Sequence, residues 1–397
     1  LSNNDGCIIS RTDEAKAIGV GMALPYFKAK DIIQKNEVAV FSSNYNLYGN
    51  LSWRVMETLK ELVGKNNVEV YSVDEAFLDL DTFDKTKFHE LASDIRTTVE
   101  LWTGIKVTVG IAPTKTLAKL ANNLAKKNKA LSNCIMVLDK EEKIREALAK
   151  TKVAGIWGVG RQFADKLNAL GINTGWDLYN MSEGWMRANM GGVVGMRLLK
   201  ELHGEQAIGM EKELTSKKMI ATTRMFGNPV LELNDIKEAV ATYTSRAAEK
   251  LRRQQSAASV ISVFIVPKED KKSTRFRHGP VISSQNILAS PTALTNELIM
   301  PAIQIAERIF EQGRSYKKAG VILSGLVPDN SIQANLFNAP SKNVGRFLME
   351  QMDNINFSMR DDVVKFASSG TTGDWKMRQD YHSPRYTTRW GELFDVK

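Results

Sequence analysis

Val68-Glu69-Val70-Tyr71-Ser72-Val73 alternates apolar and polar side chains, which predicts a half-buried strand, and Ala76-Phe77-Leu78-Asp79-Leu80 continues as an apolar run. Phe88, Leu91, Ile95, Val99 and Trp102 then fall three or four apart, the spacing of one buried helix face. Lys106 to Ile111 reads as a further strand, and Pro113 opens a helix that runs through Lys126. This order predicts an antiparallel sheet backed by helices. Ahead of it, residues 1–42 mix short helical signals with turns at Gly19-Val20-Gly21 and Pro25. From Asp139 to Glu213 the signals are all helical, punctuated by glycines.

A βαββαβ succession follows. A strand near Lys218–Met225 precedes a helix with Ile236, Val240, Tyr243, Ala247 and Leu251 on its apolar face. Strands over Ser259–Val266 and Arg275–Gln285 come next. A helix bearing Leu294, Leu298, Ala302, Ile305 and Ile309 then leads to a strand over Ala319–Leu326. Pro301 should kink that second helix or split it. Two helices on one face of four strands predict a ferredoxin-like split βαβ unit. Past Pro328 the residues turn polar and read as a tail.

Composition narrows the class. A chain of 397 residues calls for two to four modules, and 43% hydrophobic with 25% charged residues is the balance of a soluble globular protein. The apolar stretch Val260–Val266 falls far short of the roughly 20 residues that cross a bilayer. No charged-then-apolar signal segment opens the chain. A cytoplasmic protein without a membrane partner is expected. Cys7 and Cys134, far apart and without metal-ligand spacing, read as free thiols rather than a zinc site. The net charge of +9 is concentrated: residues 216–328 hold seventeen Lys and Arg against nine Asp and Glu. Such a module suits a polyanion, or simply a solvated surface.

The chemistry centres on Ser72-Val73-Asp74-Glu75-Ala76-Phe77-Leu78-Asp79. Two adjacent carboxylates framed by apolar residues cannot both be buried and charged without a cation, and hard carboxylate oxygens suit Mg²⁺. Two such ions clamp the attacking and leaving oxygens of a phosphoryl transfer. On spacing alone the pair also fits a plain turn at a strand end. Ala154-Gly155-Ile156-Trp157-Gly158-Val159-Gly160, with Ala164 and Leu167 beyond, is a helix-hairpin-helix pattern. Its glycines let backbone N–H groups approach a DNA phosphate, or merely make a tight turn. Arg246, Lys250 and Arg253 line one helix face, while Lys268, Lys271, Lys272, Arg275 and Arg277 flank a hairpin. These cations either grip DNA or guard a sheet edge.

Several long motifs in order carry a resemblance. YSVDEAFLDL and VTVGIAPTKTLAKLAN, with Glu14-Ala15-Lys16 and Phe41-Ser42-Ser43-Asn44-Tyr45 upstream, resemble the Y-family DNA polymerases. FSSNYNLYGNLS and SPRYTTR resemble the UmuC-type branch, the catalytic subunits of bacterial polymerase V. The resemblance spans essentially the whole chain. It implies an α+β architecture of fingers (1–42), palm (43–137), helix-hairpin-helix thumb (138–213), little finger (216–328) and a clamp-binding, regulatory tail (329–397). The activity it implies is error-prone translesion synthesis in the SOS response, with Mg²⁺ as cofactor.

By the same resemblance Asp74 and Glu75 match the second and third metal-binding carboxylates, and Lys16 and Lys126 match positions that contact the incoming triphosphate. Asp79 is expected to serve the fold. Gly158, Gly160, Arg246, Lys250 and Arg253 would contact DNA, and Gln333, Leu336 and Phe337 resemble the QxxLF peptide that docks into a sliding clamp. The implied partners are primer-template DNA, deoxynucleoside triphosphates, the clamp, a UmuD′-like accessory dimer and a RecA-type filament at the nucleoid. The family's first metal-binding Asp and its steric gate lie on a strand ahead of the segment resembling Leu1-Ser2-Asn3-Asn4. An N-terminal piece is therefore expected before Leu1, and residues 1–397 alone are expected to be inactive. Two rivals remain: a non-catalytic DNA- and clamp-binding chain, and a structure-specific nuclease, which would need an ERKxxxD-like cluster.

Overall fold

Short hydroxyl side chains set several helix starts. Thr12 accepts a hydrogen bond from the N–H of Ala15 and opens α1 (Asp13–Ala17); α2 (Tyr26–Lys35) follows Pro25. The computed structural model describes residues 1–211, 216–268, 281–332, 343–359, 362–371 and 373–395. They fall into two units, one of residues 45–215 and one of residues 1–44 with 216–397. No described helix is long and apolar enough to cross a membrane.

The 45–215 unit begins with α3 (Tyr45–Val63), β1 (Val68–Val70), β2 (Ala76–Leu78), α4 (Phe88–Thr103), β3 (Val109–Ile111), α5 (Lys115–Lys127), α6 (Lys129–Ser132) and β4 (Ile135–Val137). It ends with five helices, α7 (Glu141–Lys150), α8 (Arg161–Ala169), α9 (Gly175–Tyr179), α10 (Glu183–Asn189) and α11 (Val193–Leu202). The single antiparallel sheet expected here is instead two pairs. β1 and β2 are antiparallel, whereas β3 pairs in parallel with β4, a strand the pattern did not announce. The ladder at β3 starts only at Val109 because its partner is three residues long. On α4 the buried stripe is Ala92, Ile95 and Val99, and Trp102, expected inside, stays 59% exposed.

Gly110 shows how closely α5 lies on β3. A Cβ there would sit 2.2 Å from the backbone nitrogen of Asn122. The expected palm–thumb boundary near residue 137 is not a break in the core. Leu117, Leu120 and Ala121 of α5 share one apolar cluster with Leu148, Leu167, Leu178 and Leu199.

In the other unit the C-terminal part comprises β5 (Ile220–Val230), α12 (Leu233–Arg253), β6 (Ser256–Pro267), β7 (Ile282–Thr292), α13 (Thr295–Ile309), β8 (Tyr316–Pro328) and α14 (Asn343–Met359). The βαββαβ succession holds, with α12 and α13 packed over Ile261, Val263, Val321 and Leu323. The strand order keeps the split βαβ connectivity expected of a ferredoxin-like unit. It is β5-β8-β6-β7, and every neighbouring pair is antiparallel. The last strand inserts between the first and second, so β5 and β6, joined by α12, run parallel on either side of it, the split βαβ arrangement; β7 and β8, joined by α13, flank β6 in the same way. β7 runs seven residues beyond the expected end at Gln285, and residues 269–280, with Lys271, Lys272, Arg275 and Arg277, lie outside the described residues.

Pro301 does not split α13. Burial of Leu298, Ala302, Ile305 and Ala306 offsets the hydrogen bond its ring removes, a loss of about 3 kcal/mol in an unsupported helix. Nor are residues 343–395 a polar tail. Met349 is buried, and Arg252 on α12 makes a two-pronged contact to Asp353 of α14, both distances 2.7 Å. The high polar content of the segment masks its helical spacing of Met and Phe.

Candidate active site

The hairpin β1–β2 places the acids. Val68 pairs with Leu78 and Val70 with Ala76, so residues 71–75 form its turn. The N–H groups of Tyr71 and Ser72 both donate to the carbonyl of Glu75, at 3.1 and 3.0 Å. The Ser72 hydroxyl donates to Asp74 Oδ1 at 2.7 Å and accepts from the Asp74 N–H at 3.2 Å. Asp74 and Glu75 are thereby held side by side on the surface. They are exposed, contrary to the apolar framing of the motif, because the turn lifts both clear of buried Phe77.

A cation already meets one of them. Lys119 of α5 donates from Nζ to Glu75 Oε2 at 3.1 Å. Its ammonium stands 4.5 Å from the Tyr71 ring centre and 5.4 Å from that of Trp157, close enough for cation–π attraction. Trp157 donates from Nε1 to the Tyr71 hydroxyl at 3.3 Å. Residues 156–160 of the helix-hairpin-helix are thus joined to the acid turn. Lys119 and Trp157 lie inside the motifs noted in the sequence. Their pairing with Glu75 and Tyr71 had no local signal, since these partners are far apart along the chain.

Lys126 is exposed two turns further along α5. It lines, with Asp74, Glu75 and Lys119, a cleft of about 940 Å³. β2 and β3 also line this cleft, and each has only one partner strand, so each leaves an edge without a strand partner among the described residues. Lys16, in the other unit, is exposed on α1 with Nζ 2.7 Å from Asp13. Asp79 accepts from the N–H of Asp81 at 3.1 Å and stabilises the turn after β2.

As metal donors Asp74 and Glu75 fit Mg²⁺ in kind, offering adjacent hard oxygens on an accessible turn. Among the described residues no group of three or more His, Cys, Asp or Glu forms a cluster able to hold a metal ion. Behind the turn the unit is fastened by buried carboxylates. Glu69 accepts from Lys115 Nζ, and from the N–H of Glu211 at 2.6 Å. Glu201, fully buried, accepts from the N–H groups of Thr116, Ala207 and Ile208 at 3.0, 2.8 and 3.0 Å.

Gly158 has φ of +96°, and Gly160 caps α8 with nothing within 4 Å of where a Cβ would stand. The first N–H groups of α8 therefore start at an unobstructed turn. The basic face of α12 is less free than its sequence suggests. Arg246 lies 3.4 Å from Glu249 and 2.7 Å from Asp362, and Arg253 lies 2.6 Å from Glu249. Lys250 has its pKa lowered, chiefly by burial and then by Arg224 and Lys217. Gln333, Leu336 and Phe337 lie outside the described residues.

Residues 1–123 match the impB/mucB/samB family, residues 217–336 match that family's C-terminal domain, and residues 346–396 match a domain of unknown function (DUF4113). UmuC of Salmonella typhimurium strain LT2 is 39% identical, over 100% of this chain and 93% of that protein. The chain belongs to this family. MucB of Escherichia coli is 35% identical over 99% of the chain and 92% of its own length. A solved chimera of the Y-family DNA polymerases Dbh and Dpo4 superposes with a TM-score of 0.62 at 21% identity, over 82% of this chain and 88% of that one. The fold is that of a Y-family polymerase, α+β as the resemblance implies.

Proposed function

We propose that the chain extends a primer end by template-directed addition of deoxynucleotides, with low fidelity and past damaged bases. The observation that carries this reading is the Asp74–Glu75 turn standing with Lys119 and Lys126 on one cleft, in a chain whose full length aligns with UmuC. Asp74 and Glu75 would hold Mg²⁺, which when bound neutralises phosphoryl charge and orients the attacking and leaving oxygens. The protein's part is positioning and electrostatics. Lys126 offers an exposed ammonium to a triphosphate, as Lys16 does from α1. Lys119 fixes the direction of the Glu75 carboxylate. Gly158 and Gly160 leave backbone N–H groups free to meet a DNA phosphate, with no reading of base sequence.

Arg246, Lys250 and Arg253 are weaker candidates for DNA contact, because Glu249 and Asp362 already offset much of their charge. On the family resemblance, the protein acts in the bacterial cytoplasm at the nucleoid, with a UmuD′-like dimer, a RecA-type filament and a sliding clamp as partners. The decisive assay is magnesium-dependent primer extension by the intact protein on a template carrying an abasic site. Extension past the lesion that needs both template and nucleotide is expected. Strand cleavage without synthesis would favour a nuclease and end the polymerase reading.

Gln333 to Phe337 is proposed as a tether. A short peptide gains affinity from a few anchors, here Leu336 and Phe337, and tethering raises the local polymerase concentration at the primer end. Leu336→Ala with Phe337→Ala is expected to leave clamp-free extension unchanged and to remove stimulation by the clamp, on the order of tenfold or more. Loss of clamp-free activity in the double variant would place the segment in the folded core instead.

A further inference from the structure

Polar side chains buried without charge partners need hydrogen bonds, and residues 1–44 hold an unusual number of them. Asp5 is 8% exposed, Ser42 and Asn44 are fully buried, and Ser43 is 2% exposed. Ser42 donates from its hydroxyl to Asp5 Oδ1 at 2.6 Å, which ties this platform together. The Ser43 hydroxyl donates to the Leu1 carbonyl, and further bonds to these residues come from residues 378–384, within the segment that matches a domain of unknown function.

The bonds run in sequence along that irregular segment. Asn4 accepts at Oδ1 from the N–H of Arg378 at 2.9 Å, and Gln379 donates from Nε2 to the carbonyl of Ser43 at 2.9 Å. The N–H of Asp380 donates to Asp5 Oδ2 at 2.7 Å. Ser42 and Tyr381 are joined twice: the Tyr381 N–H donates to Ser42 Oγ at 3.0 Å, and the Ser42 N–H to the Tyr381 carbonyl at 2.9 Å. Asn44 closes the set, donating from Nδ2 to the carbonyl of Ser383 at 2.9 Å and to that of Pro384 at 3.3 Å.

The same segment is anchored at its other end on the C-terminal sheet. Trp375 is buried edge-on to Tyr243 of α12, ring centres 5.7 Å apart, and its carbonyl accepts from the N–H of Gly227 in β5 at 3.2 Å. The fit at Gly227 leaves no room: a Cβ there would stand 2.3 Å from the Lys376 carbonyl. Asn4 reaches across to donate to the Phe226 carbonyl at 2.9 Å. Residues 1–44 have only a small core, around Ile8, Val20, Ala29 and Ile33. A segment of that size buries too little surface to hold its position unaided.

We infer that residues 375–384 are an intramolecular strap whose receptor is Asp5, Ser42, Ser43 and Asn44, and that the otherwise unassigned C-terminal segment fastens the Lys16-bearing residues 1–44 to strand β5. This explains why FSSNYNLYGNLS and SPRYTTR stand out together in the sequence: Asn44 in the first binds Ser383 and Pro384 in the second. A partner that drew residues 375–384 away would release residues 1–44 at the same time.

The test is hydrogen exchange on the intact chain carrying Asn44→Ala. The amides of Ser42, Asp380 and Tyr381 are expected to exchange at least tenfold faster, together, while amides of β6 and β8 keep their protection. Unchanged exchange at Asp380 and Tyr381 would overturn the strap. If Asn44→Ala unfolds the unit, so that β6 also loses protection, Gly227→Ala decides from the opposite end. It displaces the Lys376 carbonyl without touching the receptor, and is expected to speed exchange at Ser42, which bonds Tyr381 further along the strap. Ser42 exchanging as in the unaltered chain would show that the two ends are not joined through the strap.

Discussion

Asp74→Asn or Glu75→Gln in the intact protein is expected to eliminate primer extension, by about a thousandfold or more, and to leave primer-template affinity within roughly a factor of two. The size of the effect follows from what each change removes. Amide replaces carboxylate at nearly constant volume on an exposed turn, so the hairpin keeps its shape and its backbone bonds to Glu75. One negative charge of an adjacent pair is lost, and divalent-ion affinity rests on that charge. For Glu75→Gln the Lys119 ammonium also loses its ion pair, leaving it held by the rings of Tyr71, Trp157 and Phe77. Single-turnover extension across a magnesium titration, with binding measured by fluorescence anisotropy, reads both quantities. Normal extension by either variant would remove these residues from the metal site.

The second large effect falls on stability. Lys115→Met is expected to cost about 3–5 kcal/mol, because it leaves the Glu69 carboxylate buried without its cation. Both side chains are under a tenth exposed, at 8% and 7%, so water cannot take over as it does at a surface pair. Lys115 also donates to the carbonyl of Gly209 at 2.8 Å, while Glu69 accepts from the N–H of Glu211. Removing the lysine therefore loosens residues 209–211 together with the hairpin. Replacing both Lys115 and Glu69 by apolar residues of similar size should recover most of the loss, since no unpaired charge remains. Denaturant unfolding followed by tryptophan fluorescence measures each variant and the double. A loss under about 1 kcal/mol for Lys115→Met would mean that the pair is hydrated after all.

Much of the candidate site was legible before any coordinates. The acid pair falls on the hairpin turn because the alternation of residues 68–73 and the apolar run after Glu75 define two short strands around it. Gly158 and Gly160 fall at the turn before α8, the first with φ of +96° and the second with open space where a Cβ would stand. What could not be read was the company these residues keep. Lys119, Tyr71 and Trp157 meet Glu75 only because α5, the hairpin and the turn before α8 pack together, and the pattern of each segment says nothing of the others. The surroundings of the basic face on α12 were hidden for the same reason: Arg246 finds Asp362 across the fold, and a charge count along one helix cannot include it.

Side chains a few residues apart, and motifs read in order, dictate most of the local elements, the succession βαββαβ, the place of the two carboxylates and the family; β4 and α14 escaped that pattern. The strand order β5-β8-β6-β7, the parallel pairing of β3 with β4, and the strap from Trp375 to Pro384 emerge only in the folded chain. Periodicity fixes which face of an element is apolar, but several arrangements of the same elements bury those faces equally well. The choice among them rests on contacts between distant residues, such as Asp5 with the backbone of Asp380, whose stabilisation appears only when both are brought together.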